Sequence, residues 1–411
     1  MVGKFIKGKP VTSFAIFGLF IIGTIFFVEK LNNRFWLNDF KVMYLAADAF
    51  LNHEQIYGTP FGLGTGFFKY SPFTMLLFIP YTIFSFDVAA IFHFFISGFC
   101  AIGTVILLEK IIRSYLYPVR QKHFLTLSAV MLCGILHLVR ELHLGNINMI
   151  LLFLLCLSLY FVLHSKPVLS GLLLGLVILA KPYFIICLLP VLVNKRYKEI
   201  FFSVVSVSLF VLSSIIISGL SNGITLYQEW ISAMMDHSVY LISNHTVFAL
   251  INTYFGITIN PRFAPFLLIL LAIIISVYFW TITNNMKDNY KSSINYQGAL
   301  IVNFFLIIAL IPSILITDTE HFLFSLPLIA IILFHLKKEA IWPVVFFVLL
   351  ILIYEGNSSD LLGNVLSGKV EEYGVLGISN LIIIMTTIYW VLQNKSKLSA
   401  NIQTTAGKSD I

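Results

Sequence analysis

Long apolar runs separated by short polar breaks, with charge sorted by sign between alternate breaks, constrain this chain more than any other feature. Most of its 26 lysines and arginines fall in breaks that alternate with those holding most of its 19 aspartates and glutamates. In lipid, each backbone N–H and C=O must be satisfied internally, so runs of this length must be helices. No dyad alternation points to a barrel. Breaks rich in lysine and arginine stay on the cytoplasmic side, so the sorting gives every loop a face. Asp39, Arg140, His143, Asn146, Lys181, His245 and His321 then come to the same, non-cytoplasmic side.

Composition agrees. Apolar residues make up 59% of the chain and charged ones 11%, where a soluble domain averages ~45–50% and ~25%. The net charge of +7 carries no nucleic-acid signal, because the basic residues are scattered and form no stripe for phosphate backbones. All four cysteines lie inside apolar runs, which argues against a disulfide framework or a thiolate metal site. Lys4, Lys7 and Lys9 precede an apolar run from Val11 to Val28. That run exceeds the ~7–15 residues of a signal peptide's apolar region and lacks a small-residue cleavage site, so it is expected to be an uncleaved first span.

Twelve crossings are expected, near 11–29, 88–109, 124–140, 147–163, 168–180, 182–193, 200–218, 263–282, 297–316, 321–336, 340–354 and 376–392. A crossing at Ser71–Phe86, which holds Pro72 and Pro80, would put Lys110, Arg113, Arg120 and Lys122 outside; that segment is expected to be juxtamembrane or re-entrant. The run 168–193 is broken by Lys181-Pro182. Two short helices turning at Lys181 keep Lys166 and Lys195-Arg196-Lys198 on one face, and put Pro182 at a helix start, where its missing N–H costs little. Each half is shorter than the ~20 residues of an ordinary span. Gly171 and Gly175 form a GxxxG pair that permits close helix approach. The expected fold is an all-α polytopic membrane protein in which residues 1–394 form one transmembrane domain. Residues 395–411 are expected to be a disordered cytoplasmic tail, with both termini inside.

Asn38-Asp39 opens a stretch in which Phe40, Met43, Tyr44, Ala47, Phe50 and Leu51 follow helical spacing. The pattern predicts an amphipathic helix on the membrane surface, capped by Asn38 with Asp39 in its first turn. There a carboxylate either serves the helix dipole alone or takes a proton from an acceptor hydroxyl. Gly58, Gly62, Gly64 and Gly66 match no nucleotide-loop pattern and are expected in a mobile loop. Lys69, which follows, either meets a phosphate or is solvated, and the solvated reading is the expected one. The break from Arg140 to Asn148 sets Arg140, Glu141, His143, Asn146 and Asn148 at the ends of two apolar helices. Such groups are usually paired and functional, although Arg140 and Glu141 can also pair with each other. A lone lysine at membrane level, Lys181, calls for an anionic ligand group, and phosphate fits. Asn244-His245-Thr246 and Asp318-Thr319-Glu320-His321 contain no HxxxH or HExxH spacing. No metal or other cofactor is therefore expected, and His245, Glu320 and His321 suit sugar hydroxyls or a phosphate. His93, His137 and His335 are expected to be hydrogen-bonded helix residues.

Taken in order, these residues resemble glycosyltransferase family 87, membrane mannosyltransferases of the C-type fold that use a polyprenyl-phosphate sugar donor. Asp39-Phe40 with Tyr44, Ala46-Ala47 and Tyr57 is similar to that family's DF…Y…AA…Y opening, and Tyr70-Ser71-Pro72 with Pro80 to its YPP…P segment. Arg140 with Gly145-Asn146-Ile147-Asn148 resembles R…GQxN, with asparagine for glutamine. Lys181-Pro182 resembles the lysine motif with its proline displaced, Asn244-His245-Thr246 stands for NQS, and Glu320-His321 for a W…H turn without its tryptophan. The resemblance runs from about Asp39 to Pro327. It implies a C-type glycosyltransferase that moves a hexose, mannose in the first instance, from a polyprenyl-phosphate donor to a glycan or glycolipid acceptor. The reaction would proceed with inversion, at the outer face of the plasma membrane. Asp39 would be the catalytic base and Lys181 a contact to the lipid phosphate. Arg140, His143, Asn146, Asn148, Tyr70, Asn244, His245, Glu320 and His321 are the expected donor phosphate and sugar ligands. The rival readings are a lipid-linked glycan flippase and a glycan polymerase. A flippase needs polar groups along a mid-membrane path, whereas here they gather at one face.

Overall fold

The computed structural model describes residues 9–62, 66–117, 123–240, 244–287, 293–315, 318–336 and 341–393. The expected disordered tail at 395–411 lies outside them. Among the described residues the regular elements are helices, and the one extended pairing is an isolated bridge between Pro60 and Phe67. The chain opens with α1 (Pro10–Leu31), α2 (Asn38–Leu51) and the short α3 (Pro72–Leu76), then a 3-10 turn at Ile79–Ile83. There follow α4 (Phe86–Tyr115), α5 (Phe124–Leu132), α6 (Ile135–Leu144), α7 (Asn148–Leu163) and α8 (Pro167–Ala180). A 3-10 turn at Pro182–Cys187 leads into α9 (Leu188–Val193), α10 (Tyr197–Ser218), α11 (Leu220–Tyr240) and α12 (Val247–Phe255). The rest comprises α13 (Ala264–Lys287), α14 (Ser293–Ile314), a 3-10 turn at Thr319–Ser325, α15 (Leu326–His335), α16 (Ile341–Glu355), α17 (Ser359–Glu372) and α18 (Val375–Gln393).

Each of the twelve expected apolar segments is helical, but length separates them. Among the described residues, five helices are long and apolar enough to cross a bilayer, and two bent pairs, α5–α6 (59°) and α16–α17 (85°), raise the number to seven if each pair is one span. The others are shorter apolar helices, the segment 72–83 among them. Length thus supports five to seven crossings against the twelve expected. Three helices stand where loops were expected: α11, α12 and α17.

The break at Lys181 is as the sequence predicts. α8 ends at Ala180, Lys181 is extended, and Pro182 starts the next turn. Two contacts show that the chain doubles back there. A Cβ on Gly171 would lie 2.5 Å from Phe202, and one on Gly175 would lie 2.8 Å from Ser206, so α8 and α10 run parallel at a spacing only glycine allows. Residues 182–196 must return the chain between them, and Arg196 Nη1 reaches the Ser165 hydroxyl at 3.3 Å. α14 is enclosed on all sides: Leu300 to Ile314 are buried throughout, as an all-apolar helix requires. At the end of the bundle away from Lys181, Lys110 donates to the Tyr160 hydroxyl (2.6 Å), Tyr117 bonds His335 Nδ1 (2.9 Å), and Tyr296 bonds the Asn194 carbonyl.

α2 departs from expectation in two ways. It starts at Asn38, and its cap is Leu37 in the left-handed region (φ 41°), not Asn38. It also buries Phe40, Val42, Met43, Ala46, Ala47 and Ala49, far more than one stripe, because it packs into protein as well as facing outward. The glycine loop, where described, is a tight turn: Phe61 and Gly62 both donate to the Gly66 carbonyl, and a Cβ on Gly66 would fall 2.5 Å from Gly62 Cα. Gly64 is outside the described residues.

Candidate active site

Chain breaks mount the polar groups of this site. Gly145 ends α6 with φ 68°, and a Cβ there would meet Phe40 and Leu37 at 2.8 and 2.9 Å. Only glycine lets the start of α2 rest on this turn, and the contact brings Asp39 to Asn146. From α4, His93 secures the turn: its Nε2–H donates to the Gly145 carbonyl (2.9 Å), and its ring stacks on Phe40 at 4.3 Å.

Asn146 Nδ2 donates to Asp39 Oδ2 at 2.7 Å. The Tyr70 hydroxyl donates to Asn146 Oδ1 at 3.3 Å, and the Tyr70 ring lies 5.9 Å from Lys181 Nζ. Lys181, 9% exposed, donates to Asn148 Oδ1 (2.6 Å) and to His321 Nε2 (2.8 Å). An ammonium has no lone pair to offer, so His321 accepts at Nε2 and carries its proton on Nδ1, 3.2 Å from the Asp318 carbonyl. Buried Glu141 caps α7: its oxygens accept from Met149 N–H (2.9 Å) and from Asn148 Nδ2 (3.1 Å). Glu320, 3% exposed, lies 4.0 Å from His321 Nδ1. The sequence-predicted Asp39, Tyr70, Asn146, Asn148, Lys181, Glu320 and His321 therefore form one connected group.

Arg140, His143, Asn244 and His245 have their described contacts elsewhere, although Glu320 attracts the Arg140 charge. His143 turns toward α1, where its Nδ1 pairs with Glu29 at 2.9 Å beside Trp36. Arg140 donates to the Asn357 carbonyl, between α16 and α17. Of the alternatives for Arg140 and Glu141, pairing with each other does not occur, and both bond to neighbours instead. The Asn244 and His245 carbonyls press on Gly374 and Gly377 at the start of α18, where a Cβ would stand 2.4 and 2.0 Å from them. The His245 ring meets Phe322 edge-on at 5.8 Å. Burial, and then Arg140, lower the His245 pKa to about 4, so this ring is neutral near pH 7 and brings no charge to a phosphate.

Lys69, for which the sequence favoured a solvated position over a phosphate contact, is half-buried. Its segment is fastened on two sides: Trp230 of α11 donates to the Lys69 carbonyl (3.0 Å) and Tyr57 to the Tyr70 carbonyl (2.8 Å). Burial lowers the Lys69 pKa against the opposing pull of Asp318, Asp39 and Glu320. Burial raises the Asp39 pKa, and Lys69 is the strongest charge opposing that rise. The available signal was position: Lys69 directly precedes Tyr70. Among the described residues, no three His, Cys, Asp or Glu side chains gather as metal ligands. The four cysteines are free thiols.

The family model of glycosyltransferase family 87 matches residues 67–308. Tyr70, Asn146, Asn148 and Lys181 fall inside that range, and Asp39, Glu320 and His321 outside it. The α-(1→3)-arabinofuranosyltransferase of Corynebacterium glutamicum is 27% identical over 218 residues, covering 51% of this chain and 50% of that protein. The chain thus spans about half the length of the curated relative it matches. ArnT from Cupriavidus metallidurans, solved bound to undecaprenyl phosphate, aligns over 92% of this chain and 78% of its own, with 13% identity and a TM-score of 0.37.

Proposed function

The chain belongs to glycosyltransferase family 87, and from that membership we propose a membrane glycosyltransferase that moves a sugar from a polyprenyl-phosphate donor to an acceptor hydroxyl. The reaction takes place at the non-cytoplasmic face of the plasma membrane, with both termini in the cytoplasm. Asp39 takes the proton of the acceptor hydroxyl as its oxygen forms a bond to the anomeric carbon. The bond from that carbon to the phosphate oxygen breaks on the opposite side, its electron pair leaves with the lipid phosphate, and the anomeric configuration inverts. Lys181 and Lys69 offset the charge gathering on the leaving phosphate. His321 and Asn148 hold Lys181 in place, and Glu320 lies beside His321. No cofactor enters these steps.

The observation that carries this reading is the continuous chain of contacts from the Asp39 carboxylate through Asn146 and Tyr70 to the Lys181 ammonium. It supports the reading by setting a carboxylate and an ammonium at one end of the bundle. Mannose is the first sugar to test, and arabinofuranose, from the Corynebacterium glutamicum relative's name, the second. The purified chain is assayed with polyprenyl-phosphate mannose and with polyprenyl-phosphate arabinofuranose against envelope glycan extracts. Asp39→Asn cuts transfer from the donor that works by about 100-fold to 10,000-fold; near-normal turnover in that variant removes Asp39 as the base. Lipid-linked glycan uptake into vesicles without new glycosidic bonds would favour the flippase.

A further inference from the structure

The amide of Asn146 is fully committed on its oxygen. Oδ1 accepts from its neighbour's Ile147 N–H at 2.7 Å and from the Tyr70 hydroxyl at 3.3 Å, while Nδ2 donates to Asp39 Oδ2 at 2.7 Å. A backbone N–H only donates and an ionised carboxylate only accepts, so just one of the two amide orientations fits. Both lone pairs of Oδ1 are occupied, which leaves no acceptor for a sugar hydroxyl. The residue is 5% exposed and follows the turn that His93 and Gly145 hold. Only the second Nδ2–H remains for a sugar oxygen.

We propose that Asn146 is a positioning residue for the base: it grips Oδ2 of Asp39, favours the ionised form, and leaves Asp39 Oδ1 for the acceptor hydroxyl. This rests on the reading of Asp39 as the proton acceptor. A hydrogen bond to the charged form of a carboxyl favours that form. The other groups facing Asp39 are Lys69 and Tyr70 from the outer loop, Lys181 from the α8 break, Glu141 from α6, and Asp318 and Glu320 from the turn before α15. The two lysines favour the carboxylate and the three acids oppose it. Asn146 is the only group with a hydrogen bond to Asp39 among the described residues.

The test is an infrared pH titration of the purified full-length chain. The protonated-carboxyl band missing in Asp39→Asn is assigned to Asp39, and its midpoint is then followed in Asn146 variants. Asn146→Leu moves the midpoint to higher pH by about one unit, and Asn146→Asp, which keeps the volume but adds a like charge, moves it further. With the working polyprenyl-phosphate donor, both variants lose on the order of 100-fold in kcat with the donor KM unchanged. Asn146→Gln, with the same amide on a longer arm, recovers most of the rate. A midpoint that stays put in Asn146→Asp, or a donor KM that rises while kcat holds, overturns the proposal and returns Asn146 to the sugar. If Asp39→Asn keeps turnover, the base reading fails, while the infrared midpoint still decides whether Asn146 governs the carboxyl.

Discussion

Asp39 stands in the first turn of α2 with its ionised form disfavoured by burial and favoured by Lys69. Its folded pKa is raised above the ordinary carboxylate value, so the folded chain binds this proton more tightly than the unfolded chain does. The linkage has a definite sign: ionised Asp39 costs stability above the folded pKa, and the cost vanishes as pH falls below the unfolded value. Asp39→Asn should therefore melt no lower than the parent chain at neutral pH, with the difference shrinking in acid, while turnover falls by about 100-fold to 10,000-fold. Thermal melts in detergent read the first effect and transfer assays the second. A variant that both unfolds and loses activity would make Asp39 a structural acid. His143 gives the contrasting case. Its partly exposed pair with Glu29 is worth about 1 kcal/mol or less, so His143→Ala should leave turnover unchanged. Successive residues step by about 100° around a helix, so Arg140, Glu141 and His143 cannot all face one site. Their polarity was readable from the sequence, but only Glu141 points to Lys181. Which residue wins depends on the rotation of α6, and no motif encodes it.

At the scale of elements, two glycines do what the apolar pattern alone cannot. Gly145→Ala would place a methyl group against Leu37 and Phe40 in a left-handed conformation, a change worth about 1–3 kcal/mol. It should lower the melting temperature and cut activity together, because the same contact seats Asp39. Gly175→Val would drive side-chain atoms into the Ser203 and Val207 backbone and should loosen α8 from α10, read as a lower melting temperature. The broken hairpin at Lys181 was legible because a charge and a proline interrupt an otherwise continuous run, and both act on the backbone directly. α11, α12 and α17 were not. Long apolar runs mark helices that are apolar on every side, whereas α11 mixes Ser221, Asn222, Gln228 and Glu229 with apolar residues that are themselves largely exposed. α11 nevertheless carries Trp230, whose bond to the Lys69 carbonyl makes it part of the frame of the site.

For the whole molecule, charge sorting predicts that the loops at Ser165 and Lys198 share a face opposite to that of His53. The Arg196–Ser165 contact ties the first two together. Single-cysteine variants Ser165→Cys and Lys198→Cys should react with an impermeant thiol reagent only in inside-out vesicles, and His53→Cys only in right-side-out ones. Any other pattern would invert the assignment of the site to the non-cytoplasmic face. Lengths were the least legible quantity, because neighbours shorten or bend a span without leaving a mark in its composition, as the bend after Cys133 within the expected 124–140 crossing shows.

α8 has fourteen residues and is therefore about 21 Å long, against a hydrocarbon layer of ~30 Å. If the Pro167 end of α8 sits at the cytoplasmic edge of that layer, a cation at the other tip is countersunk, several ångströms beneath the plane where lipid headgroups ordinarily float. On the proposed reaction, a phosphate bound there would have to descend, dragging its isoprenoid chain with it, and spent carrier would have to climb out again. Turnover should accordingly quicken in vesicles of short-chain phospholipids and slow in long-chain ones, which would make the width of the surrounding bilayer a rate-setting partner of the reaction.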